Sequence, residues 1–125
     1  MNKIYYLSSC STCARIIKEL GLKEGDFEFQ DIKTQKITAA QIDQMKKLAG
    51  SYEALFSKIA MKYRAMKLNE RKLSEKEMRD LILEEYTFLK RPVILTGGKI
   101  FIGNAKSTVA AASQAIKEKQ PSPHR

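Results

Sequence analysis

Tryptophan is absent from this chain, histidine occurs only at position 124, and cysteine only at positions 10 and 13. Two cysteines and a histidine beside the last residue cannot complete the tetrahedral ligand set of a structural zinc, so no metal is expected. A disulfide-stapled scaffold is not needed, because 125 residues are enough for one domain with an ordinary core. No stretch approaches the roughly 20 successive apolar residues that span a bilayer, and Met1-Asn2-Lys3 leads straight into a strand-like run without the apolar core and cleavage site of a signal peptide. The expected setting is therefore a reducing cytoplasm, away from membranes, where a cysteine pair more often serves catalysis or sensing than structure. Acidic residues are scarce as well, 14 against 23 basic ones, a formal charge of +9. That balance favours anionic partners such as nucleic acid, acidic protein surfaces, oxyanions and glutathione, without choosing among them. The cations, among them Lys46, Lys47, Lys58, Lys62 and Arg64, have few aromatic neighbours and form no helix-turn-helix or zinc-finger pattern. They read as a solvated helical face, and direct nucleic-acid binding is not expected.

The two cysteines stand as Cys10-Ser11-Thr12-Cys13 immediately after the run from Ile4 to Leu7. Such a spacing at a strand-to-helix junction puts both sulfurs on the first helical turn, within bonding reach, where unpaired main-chain N–H groups lower the first thiol's pKa. The pair is a candidate dithiol reaction centre; two buried, inert thiols are the alternative.

Hydrophobic periodicity organises the rest. Residues 3–8 read as a strand and 11–20 as a helix with Ala14, Ile16, Ile17 and Leu20 as its apolar stripe, ended by Gly21. Residues 27–32 alternate apolar and polar, giving a second strand, parallel to the first across the helical crossover. Thr38 and Ser74 each begin a capping box. The first opens a helix with Ile42, Met45, Leu48 and Ala49 inward, stopped by Gly50. Ser51 can cap another with Leu55, Phe56, Ile59 and Tyr63 inward, and the Ser74 box a third through Met78, Leu81 and Ile82. A hairpin, 93–96 and 99–102 about Gly97-Gly98, and a helix from Ser107 to about Lys119 through Val109, Ala112 and Ile116 complete the chain. The expectation is an α/β, thioredoxin-like (glutaredoxin-like) fold: a mixed four-stranded sheet in a single domain of residues 1–119, with a helical insertion at about 38–87 between strands 2 and 3. Residues 120–125 are too polar and proline-rich to order.

The cysteine turn, the long helical insertion and the segment Phe88-Leu89-Lys90-Arg91-Pro92-Val93-Ile94 with its hairpin ending at Gly103 resemble the glutaredoxin-like arsenate reductase and Spx family across nearly the whole chain. The resemblance implies Cys10 as nucleophile, Arg91 facing it, Pro92 in a cis peptide bond beside the thiol site, and Cys13 as the second cysteine of Spx-type members. Family arsenate reductases surround the nucleophile with three arginines, since a tetrahedral oxyanion needs several fork-like donors. Here the corresponding positions hold Ser57-Lys58 and Gly103-Asn104. Lys58, Ser11, Thr12, Asn104, Arg91 and Pro92 are thus the candidate substrate contacts. The implied activity is thiol–disulfide exchange, with Cys13 resolving Cys10 and arsenate reduction weak. Nothing is expected to be bound permanently; glutathione would be a co-substrate, and glutaredoxin or thioredoxin a partner of the monomer. The alternative is an Spx-type regulator that binds RNA polymerase and uses the cysteines as a redox switch.

Overall fold

The computed structural model describes residues 2–119, so the tail expected to be disordered lies outside the described residues. Two compact units make up the chain: one from the residues up to Asp31 together with those from Arg91 onward, the other from Ile32–Lys90.

The first unit is built on β1 (Lys3–Tyr6), β2 (Glu28–Asp31), β3 (Val93–Thr96) and β4 (Lys99–Ile102), with α1 (Ser11–Leu20) and α5 (Lys106–Lys119). The strands lie in the order β2-β1-β3-β4; β1 runs parallel to β2, and β3 runs antiparallel to both β1 and β4. This is the expected mixed sheet of a thioredoxin-like fold. Its register aligns Phe29, Ile4, Ile94 and Phe101 in one row across the strands. Because side chains on aligned residues share a face, that row meets Ile17 and Leu20 of α1 and Ala112 and Ile116 of α5 in one apolar cluster. Gly97 and Gly98 both take positive φ, 60° and 73°, as the tight turn of the β3–β4 hairpin requires. Ala14, expected in the apolar stripe of α1, is exposed. Cys13 takes the inward position one residue earlier and is fully buried.

The second unit holds α2 (Ala39–Ala49), α3 (Met61–Ala65) and α4 (Glu75–Glu84), with short 3₁₀ turns at Glu53–Leu55, Leu68–Glu70 and Tyr86–Phe88. Both capping boxes form as read from the sequence: the Thr38 and Ser74 side chains accept from the N–H groups of Gln41 and Glu77, whose side chains accept in return. The helix expected after Ser51 does not form. Ser51 Oγ accepts from the Ala54 N–H, yet only one 3₁₀ turn follows. The Leu55 carbonyl accepts from the Lys90 N–H at 2.8 Å, and the Ser57 N–H donates to the Phe88 carbonyl at 2.7 Å. Those groups are then unavailable to an i→i+4 ladder, so the backbone extends through Phe56, which bridges Leu89. Leu55 and Phe56 are buried as expected, but Ile59 is 94% exposed and Leu48, on α2, is exposed too.

Candidate active site

Cys10 occupies the N-cap of α1 in extended backbone (φ −91°, ψ 114°). Its N–H donates to the Leu7 carbonyl at 3.0 Å, which tightens the turn out of β1, and its own carbonyl accepts the first helical hydrogen bond, from Ala14, at 3.1 Å. Cys13 is therefore one turn in, below Cys10. The two come within 3.6 Å of each other, and both are free thiols. Cys10 is half-buried, whereas Cys13 is 0% exposed.

Their surroundings push the two thiols in opposite directions. At Cys10 burial opposes ionisation, but it is outweighed by the Cys13 N–H, the Cys13 thiol, the Thr12 N–H and the charge of Arg91, and the pKa falls below the ordinary thiol value. No acidic side chain lies in the first turn of α1, so nothing competes with a Cys10 thiolate for the positive end of the helix. At Cys13 burial dominates, and acceptance of a hydrogen bond and negative charge by Cys10 add to it; the Leu7 main chain and Arg91 only partly offset these, leaving the pKa pushed up to about 11.

The charge of Arg91 favours the thiolate form of both sulfurs. The Arg91–Pro92 peptide bond is cis. Pro92 is buried, and its carbonyl accepts from the Gly103 N–H at 2.9 Å, which ties the start of β3 to the exit of β4. Among the other candidates, Thr12 contributes through its N–H and Ser11 is exposed beside it. Asn104 is exposed and lines, with Arg15, Glu19 and Lys106, an open groove of about 540 Å³ along α1 and α5. Lys58 belongs to the second unit, is exposed, and pairs with Glu53 at 3.7 Å. Leu7, which the sequence shows only as the end of a strand, is the residue missed: its main chain stabilises the Cys13 thiolate. A turn this tight between a strand and a cysteine pair was its only trace in the sequence. Among the described residues no cluster of three or more histidine, cysteine, aspartate or glutamate side chains is placed to hold a metal ion, and no helix is long and apolar enough to cross a membrane.

A model of the ArsC family matches residues 5–112, a span that takes in the cysteine turn, the whole second unit and the cis-proline hairpin. The chain belongs to the ArsC family. Solved structures share its fold. The YffB (PA3664) protein superposes with a TM-score of 0.73 at 21% identity, over 90% of this chain and 98% of that one. An arsenate reductase (ArsC) related protein from Brucella melitensis gives 0.65 at 25% identity, over 88% and 92%. The arsenate reductase from Vibrio cholerae gives 0.67 at 16% identity, over 93% and 95%. No curated protein matches the sequence.

Proposed function

We propose that this ArsC-family chain is a thiol–disulfide oxidoreductase in which Cys10 attacks and Cys13 resolves, working with glutathione or a glutaredoxin- or thioredoxin-type dithiol. The observation that carries the reading is the opposite displacement of two thiols 3.6 Å apart, one accessible with its pKa lowered, one buried with its pKa raised. The thiolate is the attacking form, so Cys10 reacts first. Its sulfur attacks a disulfide, forming a mixed disulfide and releasing one thiolate, which takes a proton from water. Cys13 then loses its proton and attacks the Cys10 sulfur, expelling the second thiolate. The substrate disulfide has gained two electrons and two protons, and the protein holds a Cys10–Cys13 disulfide, which the dithiol partner or two glutathiones reduce.

The coupling between the sulfurs orders these steps. Two of the influences that keep Cys13 protonated come from Cys10, as hydrogen-bond acceptor and as charge. A mixed disulfide at Cys10 removes that charge, while Arg91 and the Leu7 main chain still favour the Cys13 thiolate. Resolution is thereby suppressed until Cys10 is engaged. The sulfurs must then close from 3.6 Å to a bond of about 2.0 Å, a shift within reach of side-chain rotation.

Turnover of a small disulfide, followed with mass spectrometry of the trapped protein, tests this. Cys13→Ser should accumulate a stable mixed disulfide on Cys10, and Cys10→Ser should accumulate none. Arg91→Ala should move the alkylation profile of Cys10 to higher pH and slow the first step at neutral pH. Reversible formation of the Cys10–Cys13 disulfide with no turnover of any small disulfide or glutathione mixed disulfide would instead make the pair a sensor of the Spx type, and the enzymatic reading would fail.

A further inference from the structure

The second unit carries a surface that the cysteine chemistry does not use. Between Lys58 and Lys72 the sequence holds six basic residues and one acidic, Glu70. Within the same stretch Ile59 is 94% exposed, Met61 90% and Met66 51%. Isolated exposed apolar residues need no explanation, but three within eight positions, interleaved with cations, form a patch of mixed character. Part of the positive charge is spent internally: Lys58 pairs with Glu53, Lys62 with Glu85 and Arg71 with Glu77. Arg64, Lys67 and Lys72 make no ion pair among the described residues and leave the patch positive.

Two further features point to a bound partner. Lys67 has φ +57°, the one non-glycine residue with positive φ among those described. Just past the end of α3, a lysine here is strained where glycine would be at ease, and its cationic side chain is exposed. The same stretch lines an open pocket of about 360 Å³, in which Tyr63, Leu73 and Met78 supply apolar wall and Lys58, Arg71 and Lys72 supply positive charge. Glu53 and Glu75 also border it, but Glu53 faces Lys58, and the Glu75 carboxylate accepts from the Tyr52 and Glu53 N–H groups at 2.7 and 3.0 Å.

We propose that residues 58–72 form a docking surface for an acidic protein segment that carries an apolar anchor, with the anchor in the Tyr63–Leu73–Met78 pocket and the carboxylates against Arg64, Lys67 and Lys72. The alternatives fit worse. A second copy would bring like charge against like charge. Nucleic acid would meet protruding aliphatic side chains where stacking aromatics are needed, Tyr63 being half-buried against Phe56. An anionic bilayer has no use for a concave pocket.

The probe is a fluorescein-labelled peptide, Glu-Asp-Glu-Leu-Glu-Asp-Phe-Glu-Glu, titrated into the full chain with Cys10 and Cys13 both replaced by serine, so that success or failure is independent of the redox reading. Saturable binding should weaken as salt rises from about 50 to about 300 mM. It should also weaken when Leu and Phe of the peptide become Ser. Amide shifts on binding should concentrate at Tyr63, Arg71 and Lys72. Lys67→Gly should raise the melting temperature while weakening the peptide about twofold to fivefold, and Arg64→Ser with Lys72→Ser should weaken it about threefold to twentyfold. The stability gain of Lys67→Gly guards against loss of fold as the explanation. Absence of saturable binding, binding unchanged in these variants, or tighter binding to phosphatidylserine vesicles or a single-stranded oligonucleotide than to the peptide would overturn the proposal.

Discussion

Cys10 and Cys13 are the same side chain three positions apart, yet the turn of backbone between them separates an N-cap from a core position. That difference has a consequence for stability as well as for chemistry. The folded state holds the Cys13 proton more tightly than the unfolded chain does, since burial raises the pKa to about 11 from an ordinary value near 8.5. Its contribution is therefore fully present below about pH 8.5 and is lost as pH rises towards about 11. Cys10, whose pKa is lowered, acts in the opposite sense, so the comparison belongs in a Cys10→Ser background. There, chemical unfolding should show stability falling between about pH 8.5 and 11 by on the order of 1–3 kcal/mol more than in the double variant with Cys13→Ala. Tyr5, pushed up to about 12 by burial, is common to both proteins and cancels. Parallel slopes in the two proteins would mean that water reaches Cys13.

At the scale of elements, α2 and α4 are joined by side chains on their polar faces. Arg79 of α4 donates to both carboxylate oxygens of Asp43 on α2, at 2.8 and 3.2 Å, and the Tyr52 hydroxyl donates to Asp43 at 2.6 Å. These bonds, Arg79 first and Tyr52 second, hold the Asp43 pKa down at about 2. The folded state thus binds this proton less tightly than the unfolded chain, and the network's contribution is present above about pH 4 and lost as pH falls through about 2. Asp43→Asn should flatten the acid limb of stability over that window; an unchanged limb would show that the three groups do not hold together in solution. Asp43, Tyr52 and Arg79 are 9 to 36 positions apart, and nothing local in the sequence couples them. The contrast with Thr38 and Ser74 explains what can be read in advance: a capping box closes within three residues, so its spacing is its structure. The Phe56–Leu89 bridge closes across more than thirty residues and overrides the helical pattern at Leu55, Phe56, Ile59 and Tyr63, which is why Ile59 lies exposed instead of in the core.

For the whole molecule, the order of strands and the turn that carries the cysteines were legible because a strand-turn-helix followed by a period-two strand leaves few ways to build a sheet. The hairpin was legible from its two glycines, and the cis bond only through resemblance to a family. What the family does with its site is the harder matter, because the arginines expected around an oxyanion are not all here. Ser57 is 8% exposed and its N–H is committed to Phe88, so an arginine placed there would have to bury its charge. Lys58 is exposed and faces Glu53, and Asn104 carries no charge. Losing hydrogen bonds to a charged group costs roughly 1.5–3 kcal/mol for each donor, so two missing arginines amount to about 3–6 kcal/mol, on the order of a hundredfold or more in rate. We expect arsenate turnover coupled to glutathione or glutaredoxin to stay near background under conditions where a small disulfide is reduced measurably. Asn104→Arg should raise arsenate turnover with little effect on the disulfide. The measurement is arsenite production per enzyme alongside disulfide reduction. Robust arsenate turnover by the unaltered chain, abolished by Cys10→Ser, would mean that Arg91 and the main-chain donors of the cysteine turn can hold the oxyanion without further arginines.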